Sequence, residues 1–273
     1  MSNTPVEQPH QLYAAESAAV RLVQITDCHI FASAEDCLRG LNTRQSFVAV
    51  RDAAVKHQDG LDLLLATGDL SQDGTTASYA YLAQEFDAMG VATFWLPGNH
   101  DDYNALQGHF TGKWIHPSKH VLIGDWQIVL LDSTIKGEVC GRVSAAQLDF
   151  LERALKAYPE RHALVCLHHQ ALDCGSEWLD LKGLKDSDQL RAQLAQYDNL
   201  KAVLWGHVHQ ESHHIIEGVE WMSTPSSCVQ FKPDSKNFAL GNEAPGYRHL
   251  SLYADGSIET AVHRVDHGKS DIN

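Results

Sequence analysis

The chain predicts an α/β sandwich of mixed β-sheets with helices covering the outer faces. Three observations carry that expectation. Apolar runs rich in Val, Ile and Leu alternate with stretches of helical periodicity through the first hundred residues; the pattern then changes to apolar runs paired about short turns; and one run after another ends in Asp, Asn or His. Alternation with helices favours parallel pairing and hairpins favour antiparallel pairing, so mixed sheets follow rather than a purely parallel doubly wound one. Polar side chains at the C-terminal mouths of such strands share one crevice, where ligands bind.

In chain order, a loose polar leader to Ala19 precedes Val20–Thr26, a β-branched run that reads as a buried strand and ends in Asp27-Cys28-His29. Thr43 to His57 carries Phe47, Val48, Val50, Ala54 and Val55 at helical spacing. Leu61–Thr67 is a second strand, ending in Gly68-Asp69, and Ser78–Met89 a second helix with Tyr81, Leu82 and Phe86 as its core face, stopped by Gly90. Val91–Trp95 is a third strand, closed by Leu96-Pro97-Gly98-Asn99-His100-Asp101. There Asn99 offers a neutral oxygen, His100 a titratable imidazole, and Gly98 the tight turn that presents both.

Beyond His120, Val121–Ile123 and Gln127–Leu131 flank Gly124-Asp125 as a hairpin. Ser144 caps a helix through Ala157; His162–Leu167 is a strand ending in His168-His169; Asp186–Tyr197 is a helix; and Lys201–Trp205 is a strand ending in Gly206-His207-Val208-His209. Two further hairpins turn at Glu217-Gly218 and Asp255-Gly256, and the chain closes in a polar tail.

Composition narrows the function classes. The 273 residues carry a formal charge of −14, from 35 acidic against 21 basic side chains, which repels nucleic-acid backbones and anionic membranes in the absence of a basic patch. The six cysteines (Cys28, Cys37, Cys140, Cys166, Cys174, Cys228) form no C-x-x-C pair or dense framework, as expected of reduced thiols in a cytoplasm. The leader lacks a basic-then-apolar signature, and no run approaches about eighteen apolar residues. A soluble cytoplasmic protein with a small-molecule partner, and neither a nucleic-acid polymer nor a membrane, is the expectation. The charge balance neither requires nor excludes a homodimer.

The ligand-type residues stand out by placement, since 17 histidines in 273 residues give about one His-x-His by chance. Asp27/His29, Asp69, Asn99/His100, His168 and His207/His209 each fall just beyond a separate apolar run. Carboxylate, imidazole and amide oxygen suit Zn, Mn or Fe(II), and seven such ligands are too many for one ion. Two ions sharing a carboxylate use them all, and Asp69, alone after its strand, is the natural bridge. His169, His213 and His214 are expected to face strand surroundings or solvent, Trp205 the core. Cys28 is expected to point away from Asp27 and His29 into the core, provided strand alternation persists. Arg39-Gly40-Leu41-Asn42 reads equally as a solvated loop or a substrate contact.

This series of motifs resembles the calcineurin-like metallophosphoesterases in residue types and order. Leu96–Asp101 and the later Thr224–Pro233 segment further resemble the class III group of bacterial cyclic AMP phosphodiesterases. The resemblance implies one four-layer α/β/β/α domain over residues 20–265, between a flexible leader (1–19) and a polar tail (266–273). It implies that Asp27, His29 and His209 hold one divalent ion and Asn99, His168 and His207 the other, with Asp69 bridging; Fe and Mn are the leading metals and Zn an admissible one. His29, Asp69, Asn99, His100 and His209 would meet the substrate, with His100 as catalytic group over the phosphate. Asp73, one position later than the family pattern, is the candidate for orienting His100; Cys228–Pro233 reads either as a buried strand and turn or as a border of the nucleotide, and the resemblance favours the second. Asp101 in place of a glutamate counts against a phosphoprotein substrate. The implied reaction is hydrolysis of 3′,5′-cyclic AMP to 5′-AMP by a hydroxide bridging two ions about 3.5–4 Å apart. A broader phosphodiesterase or nucleotide pyrophosphatase, or a non-catalytic scaffold, uses the same fold and stays open at this point.

Overall fold

Alternation along the strands sets the layers. In β2 (Ala19–Ile25) Val20 and Leu22 face one core while Val23 and Ile25 face another, and in β5 (Leu63–Thr67) Leu63 and Leu65 separate from Leu64 and Ala66 in the same way. The computed structural model describes residues 8–13, 19–56 and 60–266. Both faces of these strands are buried, so their sequences are continuous apolar runs.

One sheet has the order β15 (Ile258–Arg264), β14 (Gly246–Tyr253), β2, β5, β6 (Ala92–Leu96), β7 (Ile115–His116); β2, β5, β6 and β7 run parallel and the β14–β15 hairpin is antiparallel to β2. The other has the order β1 (His10–Leu12), β8 (His120–Ile123), β9 (Trp126–Leu130), β10 (His162–Cys166), β11 (Leu200–Trp205), β13 (Val219–Ser223), β12 (Ser212–Ile216), with parallel pairs at its centre. Between the sheets lies a core of Leu22, Leu65, Phe94, Trp126, Ile128, Leu164, Leu204, Met222 and Leu250, among others. Helices α1 (Thr43–Lys56), α2 (Thr76–Ala88) and α3 (Tyr103–His109) cover the first sheet through Phe47, Leu82, Phe86 and Leu106. Helices α4 (Ala145–Ala157), α5 (Glu177–Asp180) and α6 (Ser187–Leu194) cover the second through Leu151, Leu155, Leu179 and Leu190. The four expected layers are present.

Differences from the sequence expectation have local causes. Helix α2 starts at Thr76 rather than Ser78 because the Thr75 side chain accepts the Ser78 N–H and caps it. Helix α3, unforeseen, is seven residues long and starts where Asp102 caps the Ala105 N–H; so short an element leaves no periodicity to read. The expected leader is not loose throughout. His10–Leu12 pairs in parallel with β8, Leu12 packs on the inter-sheet core, and the His10 ring lies 4.4 Å from His116 and 5.2 Å from Phe94. Cys37–Leu38 (β3) and Leu41–Asn42 (β4) form a small hairpin turned by Arg39 and Gly40, both at positive φ. The polar tail from residue 267 onward and His57 at the end of the first expected helix lie outside the described residues.

The parallel strands β2, β5, β6, β10 and β11 open at one end of the sandwich. A buried polar cluster ties the sheets together nearby: Gln24 donates to Thr67 Oγ1 (2.7 Å) and accepts from Thr224, whose hydroxyl also takes Arg248 Nε (3.2 Å). Arg248, 2% exposed, donates further to the Ser223 carbonyl at 2.7 Å, and burial pulls its guanidinium down to about 10.

Candidate metal centre

Beyond the strand ends the backbone leaves the extended region. Asp27, His29, Asp69, His207 and His209 all have φ between 47° and 66°, a left-handed conformation adopted by only a few per cent of non-glycine residues. Each such residue costs on the order of 1–3 kcal/mol and persists where surrounding contacts fix it. Here the fixing contacts are backbone bonds between the strand-end loops: Asp27 N–H to Gly68 O (3.0 Å), His29 N–H to Asp69 O (2.9 Å) and Gly206 N–H to His168 O (3.1 Å). Strand alternation therefore does not persist through Asp27-Cys28-His29, although Cys28 is still fully buried in the core under α1 and α2. Two glycines allow the loops to close. A Cβ at Gly98 would stand 2.2 Å from Asp69 N and Oδ1, and one at Gly206 would stand 2.2 Å from Thr26 Oγ1.

Three groups of ligand-type side chains result among the described residues, each with its ligand atoms within 4.8 Å of one another: Asp27, His29 and His209; Asp69, His168 and His207; and His29, Asp69 and His100. His209 Nε2 lies 3.2 Å from Asp27 Oδ1 and 3.1 Å from His29 Nε2. His168 Nε2 is 3.3 Å and His29 Nε2 3.8 Å from Asp69 Oδ2, so Asp69 stands between the first two groups. His168 donates Nδ1–H to the Thr67 carbonyl at 2.9 Å, and His209 donates Nδ1–H to the Val229 carbonyl at 2.7 Å. Those bonds hold the rings so that both Nε2 atoms face the centre.

The donor set fits divalent cations on grounds internal to this structure. Asn99 Oδ1, His168 Nε2 and His207 Nε2 are buried with no hydrogen-bond partner, an arrangement that costs free energy unless a ligand satisfies them. Burial opposes ionising Asp69, yet His168, His100 and His29 hold its carboxyl well below the usual range; His209 and His168 likewise hold Asp27 low. Burial pulls His29 down to about 3 and lowers His207 also. Ionised carboxylate and neutral imidazole are the forms that bind metal. His168 differs: against burial, Asp69 raises it to about 9, so a cation arriving there displaces a proton.

His100 sits at the exposed rim, its ring 5.0 Å from that of His29 and its backbone N–H donating to Asp69 Oδ1 at 2.8 Å. The expected role of Asp73 is corrected. Its carboxylate accepts from Ala32 N–H, Ser71 Oγ and Thr75 Oγ1 at 2.8–3.0 Å and supports the loop rather than His100. The side chain at His100 is Gln72, with Nε2 3.2 Å from His100 Nδ1. No spacing rule in the sequence marks Gln72. Asp101 was equally silent as a structural residue: half-buried, it accepts from Gly98, Leu70 and Ser71 N–H and from the Tyr79 hydroxyl at 2.9–3.2 Å, locking the Asn99-His100 turn to the Asp69 loop. Burial, then the Asp69 charge, pushes its carboxyl up to about 6.

His169 is buried, as a strand neighbour rather than a ligand, with Nε2–H on the Val139 carbonyl (3.1 Å) and Nδ1 on Ser133 Oγ (2.8 Å). His213 pairs with Glu220 on the exposed β12–β13 hairpin, where His214 also lies. Trp205 is core.

Residues 20–211 match the family described as calcineurin-like phosphoesterase. The chain belongs to that family. It is 45% identical over 252 residues to the 3′,5′-cyclic adenosine monophosphate phosphodiesterase CpdA of Escherichia coli (strain K12), covering 92% of each chain. It is 40% identical over 250 residues to a 3′,5′-cyclic-nucleotide phosphodiesterase of Nostoc sp., covering 92% of this chain and 94% of that one. Among solved structures, a dimetal phosphatase from Danio rerio superposes with a TM-score of 0.62 over 92% of this chain and 100% of that one, at 16% identity, and so shares the calcineurin-like phosphoesterase fold. Among the described residues no helix is long and apolar enough to cross a membrane.

Proposed function

We propose that this chain is a metal-dependent phosphodiesterase that hydrolyses 3′,5′-cyclic AMP to 5′-AMP. The observation that carries the reading is the convergence of Asp27, His29, Asp69, His168, His207 and His209 from four strand ends, with Asn99 Oδ1 buried and unpartnered beyond a fifth. Similarity over 92% of the chain to relatives named as cyclic nucleotide phosphodiesterases gives the substrate class. Residues 20–265 act as one catalytic domain.

In this reading Asp27, His29 and His209 hold one divalent ion, and Asn99, His168 and His207 the other. Asp69 contacts both, as its distances to His29 and His168 support. Fe and Mn are the metals proposed, with Zn accepted by the same donors. When bound, two such ions supply Lewis-acid polarisation of the phosphoryl oxygens and activation of a water at neutral pH.

The protein's own groups position the substrate. His29, Asp69, Asn99 and His209 border the phosphoryl position, and the exposed His100 ring hydrogen-bonds an oxygen of the cyclic phosphate. With Gln72 Nε2 at His100 Nδ1, the His100 Nε2 is left to the substrate side, where it hydrogen-bonds the departing 3′ oxygen. Water adds to phosphorus, the P–O3′ bond breaks, and 3′-OH with a 5′-phosphate remains. The six cysteines are all unpaired, which supports a reducing compartment, and we place the enzyme in the cytoplasm.

The test is to strip metal, restore Mn, Fe(II) or Zn, and follow 5′-AMP and 3′-AMP separately beside bis(p-nitrophenyl) phosphate. Metal-restored 5′-AMP is the expected product. Cleavage of the artificial diester without attack on cyclic AMP would retain the metal centre and remove the substrate.

A further inference from the structure

Two segments outside the metal ligands meet beside them. The imidazole of His209 lies flat on Phe231, with ring centroids 4.1 Å apart and planes 9° from parallel. Phe231 meets Trp178 edge-on at 5.1 Å and Phe238 at 5.6 Å, and Trp178 meets Phe238 at 5.2 Å. Phe238 therefore stands two ring contacts from a proposed metal ligand, yet is 45% exposed. The guanidinium of Arg39, at the tip of the β3–β4 hairpin, lies 5.0 Å from the Phe238 centroid.

Both segments are held in place. Residues 231–240 form a loop closed by a bridge between Phe231 and Leu240, by Lys232 N–H to Ala239 O (2.9 Å) and by Gly241 N–H to Gln230 O (2.9 Å). The β3–β4 segment is tied by Asn42 Nδ2 to the Ala34 carbonyl (2.8 Å), and Ala32 N–H reaches Asp73 (2.8 Å). An exposed aromatic ring under a guanidinium, fixed at both roots, is an amphipathic wall with π surface and hydrogen-bond donors. Core packing does not account for it, because Phe238 leaves nearly half its surface in water.

Resting on the cyclic-nucleotide reading above, we propose that Phe238 and Arg39 form the wall that receives the substrate's purine base. A phosphate held at the ligand cluster places its base one ribose away, on the side where the His209–Phe231–Phe238 contacts lead. The base stacks on the open surface of Phe238, and Arg39 donates to ring nitrogen acceptors of the purine. Stacking of this kind binds the base and leaves the phosphoryl chemistry to the ligand cluster.

The test compares wild type with Phe238→Ala, Phe238→Tyr and Arg39→Ala in the full, metal-loaded chain. For cyclic AMP, Phe238→Ala should raise KM about tenfold with kcat changed little, and the ratio of kcat/KM for cyclic AMP to that for bis(p-nitrophenyl) phosphate should fall about tenfold. Phe238→Tyr should restore the ratio. Calorimetry supplies a readout apart from turnover: wild type should bind 5′-AMP more tightly than ribose 5-phosphate, and Phe238→Ala and Arg39→Ala should each narrow that gap. Wild type that cleaves cyclic AMP, with unchanged ratio and gap in both alanine variants, overturns this proposal alone. Wild type that cleaves only the artificial diester and binds both monophosphates equally overturns the cyclic-nucleotide reading and this proposal with it.

Discussion

At His100 the backbone and the ring serve different partners. The N–H is committed to Asp69 Oδ1, which fixes where the residue sits, while the imidazole projects to the rim against Gln72. Replacing the ring leaves that backbone bond in place, so His100→Ala should retain two metals per chain while losing about 10²–10⁴-fold in turnover, the usual contribution of a positioned proton donor. Metal analysis beside kinetics checks this; loss of metal in step with activity would make His100 a ligand. Asp69→Asn should behave in the opposite way. A neutral amide in place of the central carboxylate should leave fewer than two ions per chain, read by elemental analysis, and an undiminished count would remove the bridging role.

The elements place these residues through the loops that follow them. Gly98 and Gly206 have no room for a Cβ, so Gly98→Ala should force apart the Asp69 and Asn99 loops, at a cost of about 1–3 kcal/mol typical of overpacking. Urea unfolding and metal content should fall together, with helix content by circular dichroism unchanged. The strand ends were legible because buried parallel strands are continuous apolar runs, and Asp, Asn or His just behind one is conspicuous. What was not legible is how the backbone turns there. Residue order gives no sign that Asp27 and His29 adopt positive φ, and the assumption of strand alternation at Cys28 failed even though its burial followed. Asp73 follows from the family resemblance, one position off its pattern, but it faces the Ala32 and Thr75 side of its loop, and the adjacent Gln72 faces His100. Side-chain direction in an irregular loop depends on backbone angles that periodicity does not encode. Strand β1 and helix α3 were too short for any period to register.

For the whole molecule, burial of neutral histidines links stability to pH. His120 is buried with Nε2 3.1 Å from Gln127 Oε1, and burial lowers its affinity for protons; burial, with His168 beside it, pulls His169 down to about 3. Both stay neutral in the folded chain after the unfolded chain has begun to take up protons. Stability is therefore complete above the ordinary histidine range and is lost as pH falls through about 6.5, at up to about 1.4 kcal/mol per pH unit for each such residue. Urea unfolding of the metal-free protein at pH 7.5 and 5.5 should show the loss, and His120→Gln should reduce its slope.

The proposed reaction requires two ions on one cluster acting together on a cyclic phosphodiester. The measurement that tests this most directly is a titration of metal-free protein with Mn(II), following bound metal per chain and 5′-AMP release from cyclic AMP in the same samples. Activity should reach its plateau at two ions per chain, with little at the first. A plateau at one ion, or 5′-AMP release undiminished without added metal, would contradict it.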